Sequence, residues 1–373
     1  MSQGKNRFIG LLTGFYLGLA WLGLASAAWA EPTAPLARPV ADPAIASYVA
    51  TGGVSGGVVI AGSDTMQPIV AKIAAAFREW QPQVKIAVQG GGTDTALMSF
   101  LHNQAAIRRG DADAKRAQHQ VSGSISLLAA SRPFTESEHA DFRSRYGYDV
   151  TEVPIALDAI AVYVNRQNPV EGLTMEQLEA IFGEVRKAGT EEVTRWGQLG
   201  LGGEWAQQPI QRYGQDERSG TRAIFIQKVL QNESLRSDVQ IQSGPASVIL
   251  ALSRDVFGIG YASSGFQAST VRIIPLAERT DSSFVLPSPA TVANGTYPLN
   301  RPLYLYAKKE PKTGLEPAVL EFLKFINSRE GQTIVAKAGA YPLPAQQVAA
   351  NLQTLTGARM SAMNTDAPVS RNP

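Results

Sequence analysis

Four short stretches of the chain combine small hydroxyl residues, glycine and a charged neighbour: Ser63-Asp64-Thr65, Gly92-Thr93-Asp94-Thr95, Ser131-Arg132 and Ser219-Gly220-Thr221. Each falls where an apolar run gives way to a helical pattern. A helix N-terminus exposes unpaired N–H groups and the positive end of its dipole. Glycine lets a ligand approach the backbone, and Ser or Thr adds O–H donors. Several such ends brought together would bind a small oxyanion without any net positive charge. The same residue types are the ordinary N-caps of helices, so one junction alone is read as a cap.

Other chemistries lack their residues. Cysteine is absent from the 373 residues, which excludes a disulfide scaffold, a Cys-ligated metal, a Cys nucleophile and a lipid-modified Cys. The only histidines are His102, His119 and His139, all in polar, charged surroundings, so no metal site and no cofactor are expected. Gly53-Val54-Ser55-Gly56-Gly57 matches G-x-S-x-G, but a nucleophile elbow must follow a strand and open a helix. Here the match precedes a strand, and no histidine motif partners it, so a hydrolase is not expected.

There are 34 Lys+Arg against 32 Asp+Glu, and two of the basics, Lys5 and Arg7, lie in the acid-free first 30 residues. The remainder balances at zero, which excludes the basic footprint of a nucleic-acid binder. Lys5 and Arg7 head an apolar run from Phe8 to about Ala25, and Ala28-Trp29-Ala30 gives a small-residue exit before Glu31. This is the layout of a signal peptide over 1–30, cleaved near Ala30/Glu31, with an uncleaved anchor as the competing reading. No other stretch approaches the ~20 apolar residues that a membrane span needs. The body is therefore expected outside the cytoplasm.

The elements that must position the four junctions alternate between strand and helix. Val58 to Ala61 reads as a strand entering the first junction; Ile69, Ile73, Phe77 and Trp80 then mark a helix with Pro68 in its first turn. Val84, Ile86 and Val88 alternate as a strand before the glycine run 90–92. Ser124 to Ala130 leads to Ser131-Arg132-Pro133, and Thr135 with Glu138 forms a capping box. Ile160 to Val164, Ile210 to Tyr213 and Leu303 to Tyr306 read as further strands. Leu173 to Phe182, a helix burying Ala223, Ile226 and Leu230, and Pro317 to Asn327 read as helices. Such alternation means α/β layering on a largely parallel sheet. Residues 31–53 read as a linker, 103–120 as a solvated charged stretch, and 351–373 as a loose tail.

Taken in order, Gly-Ser-Asp-Thr at 62–65 with Pro68, Gly-Gly-Gly-Thr at 90–93, Ala-Ser-Arg-Pro at 130–133, Ala-Leu-Asp-Ala-Ile-Ala-Val-Tyr-Val-Asn at 156–165, Phe-Gly at 182–183 and Ser-Gly-Thr-Arg at 219–222 form a set. Over about 58–345 this set resembles the periplasmic phosphate-binding proteins of ABC importers. The resemblance implies a type II periplasmic binding protein fold, with two α/β lobes joined by two crossover segments and a ligand cleft between them. It places lobe 1 at 54–155 plus 297–350 and lobe 2 at 156–296. It implies a monomer that binds inorganic phosphate and delivers it to an ABC permease in the inner membrane. A different oxyanion such as sulfate or molybdate, or a secreted phosphate sensor, would use the same residues.

By that likeness the ligand residues are Ser63, Asp64, Thr65 and the Met66 amide, Thr93, Asp94, Ser131, Arg132, Arg218, Ser219, Gly220 and Thr221. Asp158 matches a family position with either a ligand or a hinge role. Some members carry an acid where this chain has Arg132, and some carry an Arg where it has Gln215. Arg132 or Arg218 is therefore expected as the guanidinium on the anion, and Asp64 or Asp94 as the acceptor of a phosphate proton.

Overall fold

A computed structural model describes residues 39–103, 124–184 and 191–357. The signal segment, the charged stretch after Asn103 with His119, and the chain beyond 357 lie outside the described residues.

The first half begins with β1 (Gly56–Gly62), whose last five residues are buried, as a central strand requires. It pairs in parallel with β2 (Val84–Gln89) on one side and β3 (Leu127–Ala130) on the other. Between β1 and β2 runs α1 (Gln67–Trp80), which buries Ile69, Val70, Ile73, Ala74 and Phe77. These spacings put one apolar stripe against the sheet. Trp80, expected on that stripe, is the last residue of the helix and is 46% exposed, meeting the Tyr48 ring edge-on. α8 (Pro317–Ile326) and α9 (Arg329–Lys337) share this core, while α2 (Thr93–Leu101) and α3 (Glu136–Tyr146) cover the opposite face. The capping box at α3 is formed, Thr135 and Glu138 each accepting from the other's backbone N–H.

The second half uses β8 (Gly258–Ser263), β6 (Gln211–Gln215) and β7 (Gln240–Gln242), in that order and mutually parallel. α4 (Met175–Phe182) and α5 (Gly220–Val229) pack on one face and α6 (Pro245–Arg254) on the other. The buried stripe of α5 is Ile224, Phe225 and Val229 rather than Ala223 and Ile226; Leu230, just past the helix, is buried as expected. Its first turn turns Gly220 and Thr221 inward, and the ring of Phe225 stacks on Tyr261 at 3.8 Å, which together fix the rotation of the helix.

Two strands join the halves. β4 (Thr151–Asn165) pairs antiparallel with β11 (Asn300–Ala307) along its first part and with β8 and β9 (Val271–Ile274) along its second. β11 returns antiparallel to β3. The chain thus passes between the two sets of strands on continuous ladders.

Two segments are more ordered than their composition suggests. In the stretch read as a linker, Ile45 and Tyr48 are buried. Arg329 donates to the carbonyls of Ile45 and Pro43, and the Tyr48 hydroxyl donates to Glu321 at 2.7 Å. The start of the expected tail continues α10 (Ala345–Thr356), with Asn351 and Leu355 buried. In both, a few anchoring side chains embedded in polar sequence hold the backbone, a pattern that local periodicity does not report.

Candidate functional site

All four junctions meet between the halves. Thr65, Thr93, Ser131 and Thr221 are each no more than 3% exposed. Thr65 Oγ1 lies 3.2 Å from Thr221 Oγ1, although one precedes α1 and the other opens α5. Thr93 Oγ1 accepts from the Ser131 N–H at 3.4 Å and lies 3.5 Å from the Ser131 hydroxyl. Gly220 closes the group: a Cβ there would sit 2.5 Å from Ser131 Oγ and 3.1 Å from Thr93 Oγ1. Gly92, at φ 91°, brings its backbone against Arg218 of the other half, where a Cβ would stand 2.7 Å from the Arg218 carbonyl oxygen.

The helix ends differ in what they leave available. Neither α1 nor α2 has a side-chain cap; at α1 the Gln67 N–H donates to the Ser63 carbonyl at 3.0 Å and Pro68 has none, whereas no capping side chain takes the first-turn N–H groups of α2. The Met66 amide, expected as an anion donor, instead donates to the Ser63 carbonyl inside the turn, at 3.1 Å. Ser63 is buried and its own N–H donates to Ala129. At α5, Ser219 is a true N-cap: its hydroxyl accepts from the Thr221 and Arg222 amides and donates to Gln215 at 2.8 Å. Gln215 is thus committed to holding the cap, and its amide donates to the Tyr261 carbonyl.

The charged residues sort differently from expectation. A guanidinium has five N–H donors, and Arg132 spends all of them: on Asp94, on both oxygens of Glu138 and on the Pro133 carbonyl. Arg132, expected on the anion, thus has all its donors engaged within the protein, and it engages Asp94 as well. The Arg132–Asp94–Glu138 group ties α2 to the start of α3. Arg218 is 56% exposed and pairs with Asp216, which places it at the mouth of the cleft. The Asp64 carboxylate accepts from the Gly91 N–H at 2.8 Å and does not cap α1. Burial pushes its carboxyl up; the Gly91 N–H opposes this, Asp216 across the cleft adds to it, and Arg218 lowers it. Asp64 also lines a cavity of about 430 Å³ between the halves, opposite the start of α6.

The residue that sequence reasoning missed is Arg301. Its side chain is 1% exposed, as is that of Asp158, whose Oδ2 accepts from its Nε at 2.9 Å and from its Nη2 at 2.7 Å. Arg301 also donates to Thr221 Oγ1 at 2.8 Å and to the Ser131 carbonyl at 2.9 Å. Ser263 donates to the other Asp158 oxygen. Leaving either charge unpaired would cost about 3–5 kcal/mol. The one available signal was an Arg directly before Pro302 in an apolar strand pattern, a buried charge awaiting a partner.

His139 pairs with Glu152, His102 ends α2, and Ser55 sits exposed before β1, so none of them forms a catalytic set with another. Among the described residues no group of His, Asp and Glu is placed to hold a metal.

An α/β protein in two halves, with buried hydroxyls and helix starts converging where they meet, belongs to the class of cleft-closing binding proteins. The chain belongs to the PBP superfamily, the periplasmic binding proteins, whose domain model matches residues 47–330, and it has their type II fold. It is 36% identical over 306 residues to the phosphate-binding protein PstS of Pseudomonas aeruginosa, covering 82% of this chain and 88% of that one. It is 31% identical to the SphX protein of a Synechocystis strain, covering 77% and 78%. Among solved structures, a putative phosphate ABC transporter substrate-binding protein with bound phosphate from Clostridium perfringens superposes with a TM-score of 0.61 at 25% identity, covering 78% of this chain and all of that one. A possible phosphate binding protein from Planctomyces limnophilus gives 0.56 at 27%, covering 82% and 99%.

Proposed function

We propose that this protein binds inorganic phosphate between its two halves as the extracytoplasmic substrate-binding component of an ABC phosphate importer. The observation that carries the reading is the convergence of Thr65, Thr93, Ser131 and Thr221 from opposite halves, with Thr65 and Thr221 3.2 Å apart. Hydroxyls and helix-start N–H groups are neutral donors, so they hold an oxyanion tightly without attracting nucleic acid or membrane. The relatives named as phosphate-binding proteins support this ligand over sulfate or molybdate.

The two halves act as jaws. The ligand completes its contacts only when both are present, so it shifts the population towards the closed state. Binding and release are then the whole activity, and no bond of the ligand is made or broken. Location in the periplasm, release of residues 1–30 near Glu31, a monomeric state and delivery to an inner-membrane permease complete the proposal. No helix among the described residues is long and apolar enough to cross a membrane.

Calorimetric titration of the purified protein with phosphate, sulfate, molybdate and arsenate tests the ligand. Phosphate is expected to bind more tightly than sulfate and molybdate. No heat with phosphate, or tighter binding of sulfate or molybdate, overturns it. Delivery is tested by phosphate uptake in cells lacking the gene.

A further inference from the structure

We propose that the second half carries a separate site for a small organic acid, one anionic head on an apolar body, with Arg222 as the group that takes the head. This stands apart from the phosphate reading above. A cavity of about 600 Å³ opens between the β6–α5 junction, the segment that follows α5, and β7. All of its lining residues lie between 216 and 241, so it belongs to one half and is distinct from the place where the four junctions meet. Its size suits a small organic molecule, for which pockets run from about 300 to 1,000 Å³.

The charged groups of this cavity leave one cation unspent. Arg222 is half-buried and makes a single side-chain hydrogen bond, from Nη1 to the Gln215 carbonyl at 3.3 Å. Its Nε and Nη2 N–H groups have no partner among the described residues, and no described carboxylate pairs with it. That edge of a guanidinium takes a carboxylate or phosphate side-on, through two parallel N–H···O bonds. The other two guanidiniums of the lining are engaged: Arg218 on Asp216, and Arg236 on Asp238 and Glu192. Glu217, which also lines the cavity, is exposed to solvent. Arg222 also stands in the first turn of α5, which holds no acidic residue. A cation is disfavoured at that end of a helix dipole, and an anion bound to it would offset the effect.

The apolar wall selects the rest of the ligand. Leu235, Val239 and Ile241 line the cavity, and Ile241 is 50% exposed. An apolar body laid on this wall removes it from water, which is favourable. Inorganic phosphate would satisfy Arg222 but leave the wall wet, so an acid with an apolar body fits the cavity better. The first turn of α5 thus serves two places: Thr221 faces Thr65 of the other half, and Arg222 lines the cavity.

Calorimetric titration with phenyl phosphate and with benzoate, on protein first given one equivalent of inorganic phosphate, tests the site. At least one of the two is expected to bind once per chain with a Kd below about 1 mM, and the tighter one identifies the head group. No binding of either overturns the proposal. Release of radiolabelled phosphate in step with probe binding would put the probe in the phosphate cleft and overturn it as well. So would a second equivalent of inorganic phosphate that binds as tightly as phenyl phosphate, because the wall would then contribute nothing. Arg222→Gln removes the paired head and is expected to weaken the probe about ten-fold or more. Ile241→Glu, on the exposed strand β7, sets a like charge on the wall and is expected to weaken it by a similar factor of about ten. Native-like probe affinity in either variant overturns the proposal; should Arg222→Gln fail to fold, Ile241→Glu decides. If the native protein binds no inorganic phosphate, the phosphate reading falls, while this site is still judged by the two probes titrated alone.

Discussion

Thr65 Oγ1 and Thr221 Oγ1, separated by 156 residues and held on opposite halves, lie 3.2 Å apart, and Thr221 simultaneously accepts from Arg301. One threonine therefore touches both halves and the buried guanidinium. Thr221→Ala removes that donor and leaves the Arg301 N–H without its acceptor. Phosphate affinity is expected to fall by about 1–3 kcal/mol, measured by calorimetry. Retention of native affinity would place the ligand elsewhere.

Gly220 faces Ser131 and Thr93 so closely that a Cβ would lie 2.5 Å from Ser131 Oγ. Gly220→Ala is expected to prop the halves apart. Phosphate binding should weaken by more than about ten-fold while the melting temperature of the empty protein changes little, because the added methyl strains the closed state alone. Equal binding would show that the halves do not close on this contact.

Closure can be measured in solution. β4 and β11 carry the chain between the halves, so bending of these two strands is the expected hinge. Small-angle scattering should show a smaller radius of gyration with saturating phosphate than without. No compaction would count against a closing cleft.

Arg132 is expected to matter for stability and little for ligand. Arg132→Ala strands Asp94 and Glu138, costing about 1–3 kcal/mol of stability by denaturant titration with phosphate affinity near native. The pH dependence has a definite sign. Burial works to raise the Glu138 carboxyl, but Arg132 and the Thr135 N–H hold it below its ordinary value of 4.5. Its stabilisation is thus present above that value and is lost as pH falls through the lowered one. In Glu138→Gln this acid slope should be shallower, and an unchanged slope would remove Glu138 as its source.

Asp64 is expected to set selectivity. Dibasic phosphate carries a proton that sulfate lacks, and an unpaired carboxylate accepts it while repelling sulfate. Asp94 is spent on Arg132, whereas Asp64 takes one N–H, from Gly91, and lines the open cavity. Asp64→Asn is expected to lose phosphate affinity and gain relative sulfate affinity; a constant ratio in competition titrations would reject the role. Because burial holds this carboxyl above its ordinary 3.8, the ionised form costs stability. The variant should accordingly gain stability over the native protein as pH rises through that raised value.

The sequence alone determined the α/β architecture, the four strand-to-helix junctions and the residues Thr65, Thr93, Ser131, Gly220 and Thr221 that converge there. Those features are local: hydrophobic period, caps and glycines act within a few residues, so a linear reading recovers them. Which charged side chains lie against the converging hydroxyls and which pair with one another was decided only by the tertiary structure. Arg132 looked free until Asp94, 38 residues away, and Glu138 consumed its donors. Arg301 looked like an ordinary strand residue until Asp158, 143 residues away, and Thr221, 80 away, closed around it. The helical face of α5 and the burial of Tyr48 were likewise settled by packing partners distant in the chain. A side chain's spare donors are set by what surrounds it in space, and in this fold the two crossing strands bring those neighbours together.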